Sequence, residues 1–196
     1  MHSRFLRSAF LASGLLLSSS AFAADEPVKE VESYVKGKLM SWISDKAVID
    51  AVKAQNAKHA KLGQADVEKL DKEWRAQVDA PAKPLIDSVM KSELSIYLKK
   101  KQDETKGVVA EVFVMDDKGL NVGQSEVTSD YWQGDEAKWQ KTFSAGPDAI
   151  FLDKIEKDES TQALQMQVSV SIKDPETGKA IGAVTFGINV DELSSS

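Results

Sequence analysis

At 196 residues the chain has room for one well-cored domain and too little for two. With 42% hydrophobic and 29% charged residues it is neither a disordered chain nor a multi-spanning membrane protein, and a formal charge of −6 argues against a broad grip on nucleic acid or anionic lipid. The absence of cysteine excludes disulfides, thiolate metal sites and cysteine nucleophiles, and two histidines leave little for transition-metal or triad chemistry.

Residues 1–23 open with Arg4 and Arg7, continue through an apolar run that includes Leu11, Leu15, Leu16 and Leu17, and end in Ala21-Phe22-Ala23. This is the layout of a secretory signal peptide, with an apolar core shorter than the ~20 residues of a spanning helix. Cleavage after Ala23 and a soluble periplasmic protein are the expectation. From Val28 to about Asn56 the residues Val28, Val31, Val35, Leu39, Trp42, Ile43, Ala47, Ala51 and Ala54 recur at helical steps. They predict one long amphipathic helix, with Ser44 and Asp45 as the place for a break. A second helix starts at Gln64 or Asp66, carries Val67, Leu70, Trp74 and Val78, and stops before Pro81 and Pro84. A third starts near Pro84 and presents Ile86, Val89, Met90, Leu94 and Tyr97, ahead of a polar run from Lys99 to Lys106. His59, between the first two helices, reads as exposed.

At Gly107 the period changes from near 3.6 to 2. Val108 to Met115 reads as a strand, Asp116 to Gly119 as a hairpin turn and Leu120 to Gly123 as the returning strand. Leu164, Met166, Val168, Val170 and Ile172 alternate with Gln165, Gln167, Ser169 and Ser171, which gives a strand with one apolar and one polar face. Turn residues 174–178 lead into Val184, Phe186, Ile188 and Val190, alternating with Ala183, Thr185, Gly187 and Asn189. Helices first and strands second predict an α+β domain, residues 24–106 helical and 107–196 carrying an antiparallel sheet whose apolar face meets the long helix. Gln165, Gln167, Ser169, Thr185 and Asn189 then lie on the opposite face, either solvated or under a roof. The natural roof is the long connection from Ser125 to Ser160, in which Asp135 can cap a short helix and residues 148–155 can hold another strand.

The strings Val108–Ser125, Asp130–Trp139, Lys157–Asp174 and Gly178–Leu193, together with the long leading helix, resemble the Cache (PDC-type) extracytoplasmic sensor domain. The resemblance implies a PAS-like sheet and a small ligand, often an amino acid, amine or carboxylate, held between the sheet and its covering loop. It also implies a partner of the chemoreceptor or histidine-kinase kind; with nothing after Ser196, the chain is expected to act as a stand-alone sensor that reports to a separate membrane partner. The family's R-x-W-Y string is matched by Ala137, Lys138, Trp139 and Gln140. The tryptophan is kept, whereas alanine holds the place of the arginine that clamps a ligand carboxylate. The family's acidic position is best matched by Asp158, which favours an amine.

Tyr131, Trp132 and Trp139 with Asp130, Asp135 and Asp158 make an aromatic and acidic set suited to a cation; the plainer reading is loop anchors and helix caps. With Gln167, Ser169 and Thr185 below them, these residues are the candidate ligand contacts. The local acidic excess between Thr128 and Ser160 points the same way. Neither a nucleophile elbow nor a complete calcium loop is visible, and no catalytic activity, cofactor or metal is expected. The alternative function is an interaction protein of the same fold with a vestigial pocket, pairing through the long helix with a second copy or a receptor.

Overall fold

Residues 22–157 and 163–196 are described by a computed structural model. The signal-peptide reading falls on residues outside this range, apart from Phe22 and Ala23, and so does Asp158. The first helix, α1 (Phe22–Tyr34), runs through a π-helical segment (Val35–Leu39) into α2 (Met40–Ile43). Val31, Val35, Leu39, Trp42 and Ile43 are buried along it, so the wider π turn keeps the apolar stripe on the core side of the rod. The expected break comes at Asp45, whose side chain accepts from the Ala47 amide at 2.9 Å and caps α3 (Lys46–His59).

Helix α4 (Gln64–Val78) has the expected bounds, but the third helix is divided into α5 (Pro84–Met90) and α6 (Glu93–Glu104). Ser92 is extended (φ −66°, ψ 154°) and its hydroxyl accepts from the Ser95 amide at 3.1 Å, so a new helix starts there. The polar run from Lys99 continues α6 as its solvent face instead of forming a loop.

Strands β1 (Val109–Met115), β2 (Asn121–Gln124), β3 (Ile150–Lys157), β4 (Leu164–Lys173) and β5 (Ala180–Asn189) form one antiparallel sheet of order β2-β1-β5-β4-β3. Between β2 and β3 lie α7 (Ala137–Gln140) and a 3₁₀ turn (Phe143–Ala145); α8 (Val190–Ser194) follows β5. Val168 pairs with Phe186 and Val170 with Val184, and these side chains pack with Val31, Leu39, Trp42, Ile49 and Val52 in the main core. The Trp42 and Phe186 rings meet edge to face, centroids 5.9 Å apart. The α+β class, the strand pairing and the face assignment are therefore as expected from the alternation.

The opposite face is covered in part: Gln165, Gln167 and Asn189 are half-buried, whereas its middle is closed. Ser169, Thr185 and Ala183 are 0% exposed, and Trp139 and Phe143 close over Phe113, Met115 and Ala183. A further cluster, built from Val67, Trp74, Ile86, Val89, Leu120 and Tyr131, joins α4 and α5 to the loop after β2. Trp74 is fully buried, stacks on Tyr131 (5.1 Å, 10°) and donates its indole N–H to the Thr128 carbonyl at 2.8 Å. Trp74→Ala is expected to lower the unfolding free energy by about 3–5 kcal/mol in urea titrations. A loss under about 1 kcal/mol would show that α4 is not integral to the domain.

Candidate functional site

The loop that roofs the sheet is fastened at both of its ends. Asp71, a mostly buried acid in the middle of α4, accepts from the Tyr131 and Trp132 amides at 2.9 and 3.0 Å and from Arg75 Nε at 2.7 Å. Arg75 also reaches Asp130 at 3.1 Å. Its hydrogen bond to Asp71, with the neighbouring Asp130 and Asp135 charges, pushes the guanidinium pKa up. The Trp132 indole donates to the Lys118 carbonyl at 2.8 Å, and a Cβ on Gly134 would stand 2.3 Å from that indole nitrogen. Glycine is required there by the close approach of ring and backbone. Further along, the Trp139 indole donates to the Asp116 carbonyl at 3.1 Å, and its ring stacks on Phe143 at 5.0 Å.

Beneath the roof the polar face is organised around Glu111. Gln165 and Gln167 both donate to Glu111 Oε1, at 2.9 and 3.0 Å, while Oε2 has no hydrogen-bond partner among the described residues. Gly187 lies between them on β5. A Cβ there would come within 2.5 Å of Gln165 Nε2 and 2.6 Å of Glu111 Cγ, so glycine lets the three side chains converge across the middle strand. One pair further along, the Ser169 and Thr185 hydroxyls bond each other at 2.9 Å with neither exposed. Beyond them the Ser171 hydroxyl is buried without a hydrogen-bond partner among the described residues.

Cations come from the roof. Lys138, its side chain 14% exposed, places Nζ 2.9 Å from Glu136 and 5.4 Å from the centre of the Phe113 ring; Lys141 Nζ stands 4.4 Å from the Phe151 ring. One carboxylate, a row of hydroxyls and amides and a half-screened ammonium thus share one face, which suits a ligand with separated polar ends. No group of His, Asp and Glu among the described residues has the arrangement of a metal site.

The residues singled out in the sequence fall into three places. Gln167, Ser169 and Thr185 share the face with Glu111. Asp130 and Tyr131 are turned towards α4, through Arg75 and Trp74 respectively. Trp132 and Trp139 both line a pocket of about 310 Å³ between the roof and α4, with Leu62, Val67 and Lys118, while Trp139 also packs on Phe113, Met115 and Ala183 of the sheet face. Asp135 is exposed, and α7 starts two residues after it with no side-chain cap, so the expected capping role is not taken up. His59 is a correction: it is 6% exposed, with Nδ1 2.9 Å from Asp116 Oδ2. Its partner is 57 residues away, and local polarity carries no trace of such a bond. Glu111, Lys138, Asp71 and Asp116 were not among the candidates. Glu111 had a signal, as the single charge in the strand from Val108 to Met115.

No family model and no curated protein matches the chain. Among solved structures it is similar to the ligand-binding domain of the Pseudomonas aeruginosa PAO1 amino acid chemoreceptor PctC in complex with GABA (12% identity, TM-score 0.41, covering 89% of this chain and 62% of that one). Similarity of the same order extends to the ligand-binding domain of Campylobacter jejuni chemoreceptor Tlp3 in complex with 4-methylisoleucine (15%, 0.41, 89% and 60%). The sensor domain of the V. cholerae histidine kinase DctB gives 11% identity, a TM-score of 0.39 and coverage of 89% and 59%. The chain spans about three-fifths of the length of these structures.

Proposed function

We propose that this chain is an exported sensory domain that holds a small amine-bearing polar molecule between the outward face of the sheet and the roof at 137–145, and reports it to a membrane receptor or kinase. The observation that carries this reading is Glu111: one carboxylate oxygen is saturated by Gln165 and Gln167, and the other is left to accept from a ligand. A carboxylate held rigid by two amides and set beside buried hydroxyls is organised in advance, which reduces the ordering cost of binding. Lys138 offers the ligand's other end an ammonium, so an amino acid fits as well as a simple amine. Trp139 shapes the site as the anchor of its roof, and Gln167, Ser169 and Thr185 form its floor. Asp158 is proposed as a second acidic contact on the resemblance alone. No helix among the described residues is long and apolar enough to cross a membrane.

The alternative, an interaction protein with a vestigial pocket, called for a filled sheet face and an apolar stripe on the outside of residues 28–54; Trp139 and Phe143 fill the face over Phe113, Met115 and Ala183, which meets the first condition in part, and the second is not met. The large exposed hydrophobic residues among those described are Ile96, Val127 and Leu164, all outside that segment. A thermal-shift screen of the mature protein against alkylamines, amino acids, dicarboxylates and purines tests the proposal, because a ligand that binds only the folded state raises the melting temperature. An amine-bearing hit is expected, with its shift reduced at least about tenfold in ligand concentration by Glu111→Gln and the free variant's melting temperature little changed. An unaltered response in Glu111→Gln would overturn the assignment.

A further inference from the structure

A second cavity, of about 450 Å³, lies on the helical side of the molecule, bounded by α3, α4, α5 and β2. Its size is within the range of small-molecule pockets. Leu62, Leu70, Leu85, Val89 and Val122 supply apolar walls, Gln55, Lys58, Ser88 and Ser92 add a polar rim, and His59 and Tyr131 reach the same space. Both belong to nearly closed positions, 6% and 4% exposed.

The chemistry of His59 is fixed from behind. Asp116 is fully buried; its Oδ1 accepts from the Lys118 and Leu120 amides, and its Oδ2 from Gln55 at 3.0 Å and from His59 Nδ1 at 2.9 Å. A carboxylate accepts only, so the proton of that bond is on Nδ1 and a neutral imidazole carries its lone pair on Nε2. Nε2 lies across the ring from the bond and has no partner among the described residues; neither has the Tyr131 hydroxyl. A purely structural histidine would need only the Nδ1–H. Here the arrangement also presents an oriented acceptor and a phenol to a space with apolar walls and a polar rim.

We infer that this cavity is a second small-molecule site, separate from the sheet face, which takes a compact and largely apolar molecule carrying one hydrogen-bond donor for His59 Nε2. Such a molecule fills the walls by apolar contact and is oriented by one bond to the imidazole. Tyr131 is held by its backbone to Asp71 and to Asn121, and its ring to Trp74, so it serves as a rigid end wall.

The probe pair is phenol and anisole, which share the ring and the oxygen, anisole carrying a methyl group in place of the donor hydrogen. Titrations of the folded protein, followed by NMR at Tyr131 and Val122, are expected to show saturable shifts with phenol at millimolar concentrations and at least about fivefold weaker binding of anisole. His59→Asn keeps a side-chain N–H for Asp116 and removes the Nε2 acceptor. It is expected to abolish the preference for phenol while leaving anisole unchanged. Leu70→Phe, which fills the space from a half-buried wall, is expected to block both probes, and Glu111→Gln to affect neither. No shift with phenol, equal affinities for the two probes in the parent, or undiminished binding in Leu70→Phe would overturn the inference. Where His59→Asn does not fold, the parent's discrimination and the Leu70→Phe result decide.

Discussion

Replacing Asp116 by alanine should cost about 3–5 kcal/mol of stability, the loss expected when one partner of a buried charged network is removed. Four donors lose an acceptor at once: the Lys118 and Leu120 amides, His59, and Gln55, which keeps the Leu120 and Asn121 carbonyls. The first two close the β1–β2 turn, where Gly119 adopts φ +82° and a Cβ would stand 2.5 Å from the Gly134 backbone. The adjacent carboxylate should behave in the opposite way. Burial, with the neighbouring Asp116 charge, pushes the Asp117 pKa up, so the folded state holds its proton more tightly than the unfolded chain. Its contribution is therefore most favourable below the ordinary carboxylate pKa and declines as pH rises through the folded value. Asp117→Asn should leave stability at neutral pH unchanged or slightly raised. Urea titrations of the two variants check both signs, and equal losses would mean that the turn is not organised by Asp116.

Val170→Asp is the second large effect. Val170 is 2% exposed and paired with Val184 and Ile150 in the middle of the main core, so an aspartate there must be buried without a partner or unfold the strand. A loss above about 4 kcal/mol is expected, against about 1 kcal/mol or less for Gln165→Ser on the other face. Since side chains alternate, a slip of one residue would exchange these outcomes. Circular dichroism melts of the two variants decide the register.

Where neighbours in sequence are also neighbours in space, the reading from residues and the structure agree. The alternation of Leu164 to Ile172 and of Ala183 to Val190 is a local property of extended backbone, and it placed Val168, Val170, Phe186 and Ile188 on the core side. Asp45 and Pro84 likewise mark helix starts by local chemistry. Ser92 was an available capping signal, but the apolar steps from Ile86 to Tyr97 continue across it, and periodicity alone reads one helix. What sequence does not carry is the partner of a distant polar group. His59 is buried because Asp116 accepts from it, and Tyr131 faces α4 because Asp71 holds its amide. The aromatic cluster in the loop gave the right segment as the roof, yet anchoring divides its members between α4, the far pocket and the sheet face.

The site on the sheet face is tested most directly by amide NMR mapping of the best amine-bearing molecule from the thermal screen, titrated into the protein from Ala24 onward. The proposal requires the largest perturbations at Glu111, Ser169, Thr185 and Lys138, with Glu111 responding at the lowest ligand concentration. Perturbations confined to Val67, Trp132 and Gly134, or to His59 and Val122, with Glu111 and Thr185 unmoved, would contradict it.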